Sequence, residues 1–420
     1  MIFCPKYLDR KDSDILKRLC TEYAMLSAQK INRERADLWR KLNQLKSVRP
    51  MVCMDQIPWH EMNVNDELTI QTSDPWAQEI ECHFRKTIYL WNHMQLDMIV
   101  NDYIECPIVI NDSGLGIDEQ ADIVETDNQS EVVSRHYHRQ IIDPADIEKI
   151  KMPIISVDTE ATENNYRIMT NLFGSIMPVR KVGIRHIWFA PWDNLIRWWG
   201  VQEAMMDMVS RPDMVHAAVV RFIDASICRL EQYEKLNLLN LNNSNVGIGS
   251  GGYGYTDELP GHDFNPEHPK PHNMWGCSNA QIFSGISPEM HWEFAVKHDL
   301  RWLEKWGLTY YGCCEPLDIK MDVIRRIPNL RKVSMSPWIN VDRAVKAVAD
   351  KYVFSYKPNP AIFAQGDWDA DNVKREIVEF LNKSRGCHVE IVMKDISTVQ
   401  YRPERLWDWS KIIVESINEL

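Results

Sequence analysis

The chain lacks an excess of basic residues. Its 420 residues include 48 Lys and Arg against 60 Asp and Glu, which gives a formal net charge of −12. Binding to nucleic acid depends on neutralising phosphates with Lys and Arg. The composition offers no basic surface for such a partner, so we expect no nucleic acid among the ligands.

Long apolar runs and an ordered cysteine spacing are also missing. No uninterrupted apolar stretch approaches the roughly 20 residues that span a bilayer, and nothing at the N-terminus resembles the apolar core of a signal peptide. The ten cysteines are scattered without the spacing of a disulfide framework. We therefore expect a soluble protein of the reducing cytoplasm with no membrane partner.

Glycine and proline are sparse, at 17 and 21 residues, while hydrophobic residues make up 45% of the chain. This balance favours a large buried core, and the length suits one barrel-sized domain with additions or two domains. Tryptophan is abundant by contrast, with 16 residues. Aromatic surfaces of this size pack cores or clasp flat organic ligands.

The order of patterns along the chain predicts its organisation. Residues 1–75 are charged and carry apolar residues at helical spacing, which predicts an N-terminal helical extension. Residues 76–420 form the main domain, with a polar, acidic excursion at about 112–150. Apolar strands and amphipathic helices alternate in the C-terminal half, which indicates parallel strands with crossover helices. A doubly wound sheet and a (β/α)8 TIM barrel both fit this pattern, and the count and length favour the barrel.

A glycine-rich segment, residues 247–254, follows one apolar run. A dinucleotide-binding loop would be followed at once by a helix, but Pro260, Pro266 and Pro269 come next. We therefore reject a nucleotide fold and predict a floppy or substrate-approaching loop.

The sequence Tyr310-Tyr311-Gly312-Cys313-Cys314-Glu315 stands where an apolar strand ends. Thiolate is a preferred zinc ligand and a reactive nucleophile, so the position predicts metal or thiol chemistry. The alternative is a pair of buried apolar cysteines followed by a helix-capping Glu. Because side chains alternate along a regular strand, one cysteine, most simply Cys313, is expected to face the site unless a bulge re-aims both.

Other donor-bearing residues follow predicted strands and would meet at the same face of a barrel. For a metal, the candidates are Cys313, Glu315, His272 and Cys277, with Cys314 as an alternative. Cys387 begins a strand and would lie at the opposite end, so it is excluded.

Four short segments carry a resemblance. Residues 200–205 and 211–215 read GVQEAM and RPDMV, residues 281–289 read QIFSGISPE, and residues 311–315 read YGCCE. Together they resemble the uroporphyrinogen decarboxylase superfamily, especially its corrinoid-dependent methyltransferases. The resemblance covers the C-terminal two thirds of the chain, with short motifs.

This resemblance implies a (β/α)8 barrel in which zinc activates a thiol acceptor or helps a methyl donor, while a separate corrinoid-binding protein delivers or receives the methyl group. The chain departs from the pattern at two places. Tyr311 stands where these methyltransferases carry a histidine ligand, and Lys394-Asp395 ends the last strand where many carry a final cysteine. The arginine-rich N-terminal signature of true uroporphyrinogen decarboxylases is not visible, which disfavours porphyrinogen decarboxylation.

The leading hypothesis is a zinc-dependent methyltransferase that moves a methyl group between a small methylated compound or thiol and a corrinoid protein. Asp395 or Glu315 would supply a proton, and Lys394 or Lys357 would orient an anionic substrate. The expected substrate-binding residues share an aromatic or cationic side chain: Trp192, Tyr255, Trp275, Tyr311, Trp338 and Lys357.

Two other functions stay open at this point. The first is a metal-independent decarboxylase or lyase of the same fold, in which Lys and Arg stabilise a carbanion. The second is a non-catalytic binding protein on a degenerate barrel. The sequence leaves the methyl donor and the oligomeric state open, with a homodimer as one alternative.

Overall fold

The computed structural model describes residues 8–124 and 133–420. The strands are β1 (Met51–Met54), β2 (Ile104–Pro107), β3 (Ile110–Asp112), β4 (Ala121–Val124), β5 (Ser134–Tyr137), β6 (Ile155–Val157), β7 (Val179–Val182), β8 (Trp275–Ser278), β9 (Leu308–Tyr311), β10 (Leu330–Met335), β11 (Val353–Tyr356) and β12 (His388–Met393). The helices are α1 (Arg10–Ser27), α2 (Ile31–Asn43), α3 (Pro75–His93), α4 (Thr159–Phe173), α5 (Pro191–Trp199), α6 (Val201–Ser210), α7 (Pro212–Lys235), α8 (Pro288–His291), α9 (Lys297–Leu303), α10 (Met321–Ile324), α11 (Val341–Val348), α12 (Ala370–Lys383) and α13 (Glu404–Asn418).

The main sheet has six strands in the order β1-β12-β11-β10-β9-β8, and all neighbouring strands in it are parallel. Helices α11, α12 and α13 lie between or after its consecutive strands in the chain, as the alternating sequence pattern predicts. Parallel strands need such crossover connections, because a tight hairpin would reverse the chain.

The strands outside the main sheet are connected by fewer backbone hydrogen bonds than the strands of a regular barrel. Strands β2 and β7 form a separate parallel pair, and one parallel bridge joins Ile184 to Leu239. The Asn242 side chain then bonds both the N–H and the C=O of Trp275 on β8. The fold is therefore a mixed α/β structure compatible with an α/β barrel, but in the described residues the backbone ladder does not close into eight strands.

The six-stranded sheet has two different faces. One face carries Val333, Phe354 and Ile391 and packs against the surrounding helices in the largest apolar cluster. The opposite face, called the inner face here, carries Trp275, Cys277 and Tyr310, as well as buried polar residues. Alternation along each strand assigns neighbouring residues to opposite faces.

The N-terminal segment contains helices α1 and α2 and also contributes a strand to the main sheet. Helices α1 and α3 begin at the side-chain caps Asp9 and Asp74, and their apolar faces share a second cluster. However, β1 lies inside the segment 1–75 and pairs with β12 in the main sheet. A strand of four residues is too short to show periodicity, so the sequence pattern did not reveal β1 within the predicted helical extension.

The excursion at about 112–150 is partly described. It contains the antiparallel pair β4–β5, and a short 3₁₀ helix, Pro144–Lys149, closes it. Residues 125–132 lie outside the described part of the chain. Within residues 8–124 and 133–420, we find no helix that combines the length and apolarity needed to cross a membrane.

Candidate functional site

Two thiols and a lysine meet at the carboxyl edge of the sheet. Lys394 Nζ lies 3.7 Å from Cys313 Sγ, and Cys313 Sγ lies 3.6 Å from Cys314 Sγ. Cys313 follows β9 and Lys394 follows β12, and two strands separate them in the sheet order. In a flat sheet that offset would be about 14 Å at the usual strand spacing, so curvature of the sheet brings the groups together.

The backbone at Gly312 directs both sulfurs into the same site. Strand β9 ends at Tyr311, and Gly312 has φ +100°, a conformation that side-chain-bearing residues rarely adopt. The regular alternation of side chains stops there. The expectation that only one cysteine would face the site is therefore replaced by its stated alternative, in which the local backbone re-aims both.

Glu315 holds this turn in place. Its Oε2 accepts a hydrogen bond from the Cys313 N–H at 2.7 Å, and its Oε1 accepts one from the Ala280 N–H at 3.1 Å. Burial raises the pKa of the Glu315 carboxyl, and these backbone amides oppose that rise. Because both oxygens accept backbone hydrogen bonds, Glu315 positions this turn, and its predicted roles as metal ligand and proton donor stay predictions.

The electrostatics favour a thiolate at Cys313. The hydrogen bond from Cys314 lowers the pKa of the Cys313 thiol; burial opposes this effect and the charge of Lys394 adds to it. The same shared proton raises the pKa of Cys314. Burial alone would lower the pKa of Lys394, but the neighbouring Cys313 and Asp395 charges leave it raised. The contacts at this site thus favour the ionised forms of Cys313 and Lys394.

Asp395 borders the same site. Its Oδ2 lies 3.8 Å from Cys314 Sγ and its Oδ1 lies 3.8 Å from Lys394 Nζ. The structure therefore brings together four of the residues that the sequence nominated: Cys313, Cys314, Lys394 and Asp395.

Lys357 lies deeper on the inner face. Its Nζ donates to Tyr310 Oη at 2.6 Å and to Ser355 Oγ at 3.0 Å, and burial lowers its pKa to about 8. Because these bonds already hold the ammonium, Lys357 acts as a buried charge beneath the thiols. Its predicted role in orienting substrate stays a prediction.

The predicted aromatic residues are mostly elsewhere. Trp192 is buried on α5 and donates to the Phe294 carbonyl, while Trp275 is buried and donates to the Gly254 carbonyl. Tyr311 faces the helices, where its hydroxyl meets His291 Nε2 at 2.7 Å. All three side chains are buried and their polar atoms make hydrogen bonds within the protein, so these residues belong to the core.

The other two aromatic candidates divide between the ends of the sheet. Tyr255 lies at the amino end, where the Asn43 side chain donates to its carbonyl and Arg40 stacks on its ring. Trp338 follows β10 at the carboxyl edge and is 71% exposed. Only Trp338 lies at the edge that carries the thiols.

The glycine-rich loop is close-packed. A Cβ at Gly249 would collide with the Tyr310 ring, and one at Gly252 would collide with Trp39. Ser250 Oγ meets Tyr310 Oη at 3.0 Å. The loop therefore fills the inner face, which contradicts a floppy loop, while the alternative of a loop that approaches substrate stays a prediction.

The predicted zinc ligands do not form one set. His272 precedes β8, at the amino end of the sheet, and pairs with Asp263 at 3.6 Å, so it lies a full strand away from the thiols. Cys277 is buried on the inner face beside His186. In residues 8–124 and 133–420, no group of three or more His, Cys, Asp or Glu side chains is placed to hold a metal ion.

The donor set at the thiols fits a catalytic zinc only in part. The 3.6 Å between the two sulfurs is close to the separation of two thiolates on tetrahedral zinc with Zn–S bonds of about 2.3 Å. Catalytic zinc takes three protein ligands, but Glu315 faces the backbone and the Lys394 ammonium stands next to Cys313. The described residues therefore supply two thiols but not the third ligand of the predicted zinc centre, which stays a prediction.

Sequence reasoning missed two residues near the carboxyl end of β8. Asn279 directly follows β8, and His186 lies beside Cys277. The rule that strand ends face a site would have found Asn279. The sequence carried no signal that singled out His186.

Comparisons with known proteins identify the fold. No protein-family model matches the chain, and no curated protein matches it in sequence. Among solved structures, a methyltransferase from Methanosarcina mazei is similar with a TM-score of 0.52 and 11% sequence identity. The match covers 92% of this chain and 98% of that one. At this identity, the likeness shows a shared fold over almost the whole length of both chains.

Proposed function

We propose that this protein is a methyltransferase that uses Cys313 as its methyl-accepting group. The observation that carries the proposal is the contact of Cys313 Sγ with Cys314 Sγ at 3.6 Å and with Lys394 Nζ at 3.7 Å. A thiolate is the nucleophilic form of cysteine, and hydrogen bonding with an adjacent cation stabilises it. The fold shared with a methyltransferase from Methanosarcina mazei supports the reaction class.

In the proposed first step, the Cys313 sulfur attacks the methyl carbon of a small compound that carries the methyl group on nitrogen, oxygen or sulfur. The sulfur–carbon bond forms as the bond from carbon to the leaving atom breaks. The leaving atom keeps the electron pair and takes a proton from the Lys394 ammonium, which faces the sulfur. In the second step, the methyl group passes to another nucleophile and the thiolate is restored.

The Cys314 thiol keeps its proton through both steps. Its pKa is raised by the hydrogen bond that it shares with Cys313, so it acts as a donor that stabilises the thiolate. Asp395 Oδ1 lies 3.8 Å from Lys394 Nζ, and its charge favours the ammonium form of Lys394, which regains the donated proton from solvent.

The corrinoid-binding partner and the zinc ion are separate proposals. Both come from the resemblance of the motifs to corrinoid-dependent methyltransferases. Elemental analysis of metal-replete protein tests zinc: about one zinc per chain supports it, and a content under about 0.2 argues for a thiol site without metal. Formation of a methylated corrinoid from reduced cobalamin tests the partner chemistry.

The rival function is a metal-independent decarboxylase or lyase. Two ammonium groups, Lys357 and Lys394, lie at or beneath the site, and such charges stabilise a developing carbanion. The two functions differ in their need for sulfur. Cys313→Ser would abolish methyl transfer, whereas a lyase that depends on the lysines would retain its activity.

The direct test uses methyl iodide as a simple donor. Peptide mass spectrometry is expected to find the methyl group on Cys313 and not on Cys82, a partly exposed cysteine of α3 that serves as the reference. A free thiol or reduced cobalamin added afterwards is expected to remove the methyl group. Preferential methylation of Cys82, or a methyl group on Cys313 that no added nucleophile removes, would overturn the proposal.

A further inference from the structure

Two buried polar atoms near the carboxyl end of β8 have no hydrogen-bond partner. They are Asn279 Nδ2 and His186 Nδ1. Buried polar groups are nearly always paired, because leaving one unpaired costs the full desolvation of the group. Some other buried atoms of the described residues are also unpaired, including Asn273 Nδ2, so location is what distinguishes these two.

The position of Asn279 is fixed from both sides. The carbonyl of Ser278, the residue before it, accepts a hydrogen bond from the Gly312 N–H at 2.9 Å. The N–H of Ala280, the residue after it, donates to Glu315 Oε1 at 3.1 Å. Asn279 therefore lies directly against the turn that carries Cys313 and Cys314. Its Oδ1 accepts from the Gln281 N–H at 3.4 Å, which leaves the amide N–H₂ as the free donor.

His186 lies on the same side of the sheet. Its Nε2 is 3.9 Å from Cys277 Sγ, and Cys277 stands two residues before Asn279 on the inner face. Burial lowers the pKa of the imidazole to about 4, so the ring is neutral at physiological pH. When Nδ1 carries the single proton, it is a second unused donor.

We infer that Asn279 and His186 bind the carboxylate of the methyl-bearing substrate. The inference rests on the proposed methyl transfer at Cys313, and it adds the substrate class: a small methylated organic acid. Two neutral N–H donors match the two oxygens of a carboxylate. The Lys394 ammonium at the same edge attracts the carboxylate of the substrate, although it also contacts Cys313 and Asp395.

Binding is measured by calorimetry in the Cys313→Ser variant, so that no turnover occurs. The probes are methoxyacetate, its amide methoxyacetamide and the alcohol 2-methoxyethanol. Methoxyacetate is expected to bind about tenfold or more tightly than either neutral compound. Equal affinity for the three would overturn the carboxylate assignment.

Variants then test the two residues. Asn279→Ala and His186→Phe are each expected to weaken methoxyacetate binding about tenfold, as expected for the loss of one donor to a charged group. Asn273→Ala is the matched control, because this asparagine is equally buried but precedes β8 at the opposite end of the sheet. Its binding should equal that of the parent protein.

The outcomes separate the two proposals. Tight binding of methoxyacetate that depends on Asn279 and His186, with no methylation of Cys313 in the wild-type protein, would leave the acid site standing and refute the methyl transfer. Methylation of Cys313 by neutral and acidic donors at equal rates, unchanged by Asn279→Ala, would refute the acid site alone. Thermal unfolding of each variant shows whether it is folded. Asn279→Asp provides a second variant at this position, in which the negative charge should repel methoxyacetate.

Discussion

Lys394 Nζ lies 3.7 Å from Cys313 Sγ, although two strands separate their parent strands in the sheet. The contact makes the reactivity of one residue depend on the charge of the other. Since Lys394 follows β12 and Cys313 follows β9, only the folded sheet creates this dependence.

Replacing Lys394 should make Cys313 less reactive. In Lys394→Gln the thiolate loses its ammonium neighbour, so the pKa of Cys313 rises and less thiolate is present at neutral pH. We expect alkylation of Cys313 by iodoacetamide at about pH 7 to slow roughly tenfold, with a rate–pH profile that moves to higher pH. Mass spectrometry of the Cys313 peptide gives the rate.

The control for this experiment is Lys383→Gln, which removes an ammonium paired with Glu379 on the surface of α12. It should leave the profile unchanged. A Lys394→Gln profile that coincides with the wild-type profile would show that the contact has no electrostatic effect on Cys313.

The buried ion pair Lys332–Glu390 should be costly to break. Nζ and Oε2 are 2.7 Å apart, and both side chains are fully buried on the inner face. Glu390→Gln leaves the ammonium without a counter-charge, so we expect a loss of about 3–5 kcal/mol in the free energy of unfolding. Urea denaturation followed by tryptophan fluorescence measures it.

Replacing both partners should restore much of that loss. The double variant Lys332→Met, Glu390→Leu removes both charges and keeps apolar volume. If the double variant is less stable than Glu390→Gln, the pair contributes more through its hydrogen bonds than through charge compensation.

Gly249 should not tolerate a side chain. Its φ is +59°, and a Cβ would meet the Tyr310 ring. Gly249→Ala is therefore expected to lower the free energy of unfolding by about 1–3 kcal/mol through crowding and backbone strain. Gly285→Ala is the matched comparison, because nothing lies within 4 Å of a Cβ built there. Similar unfolding midpoints for the two variants would contradict the close packing of the loop.

Asp299 should make the protein less stable at alkaline pH. Burial raises the pKa of its carboxyl from 3.8 to about 8, against an opposing hydrogen bond from Ser278. The folded state then binds a proton that the unfolded state has already released. This contribution is complete below about pH 4 and is lost as the pH rises through about 8.

Asp299→Asn removes this titration. The fall in Tm between about pH 5 and about pH 9 should be smaller in Asp299→Asn than in the wild type. Asp322→Asn, on an exposed side chain, serves as the control and should not alter the slope. An unchanged slope in Asp299→Asn would show that Asp299 is ionised in the folded protein.

Several features of the site could be predicted from sequence. Strand–helix alternation predicted parallel strands, and Cys313, Cys314, Lys394 and Asp395 were expected at strand ends that meet at one edge. These are local patterns, and the geometry of parallel sheets converts them into a shared location. The class of fold followed for the same reason.

The direction of individual side chains could not be predicted in this way. Tyr311 faces the helices, Glu315 turns to backbone amides, and β1 joins the sheet from within the predicted helical extension. Each outcome depends on strand register, or on a single residue such as Gly312 at φ +100°.

The amino-acid sequence by itself determined which elements form and which residues end them, because hydrophobic periodicity and turn chemistry act over a few residues. The tertiary structure alone decided that Lys394 lies next to Cys313, that His272 lies a strand length from the thiols, and that Asn279 Nδ2 and His186 Nδ1 have no hydrogen-bond partner. These relationships depend on the curvature of the sheet and on contacts between residues distant in sequence, which no local pattern specifies.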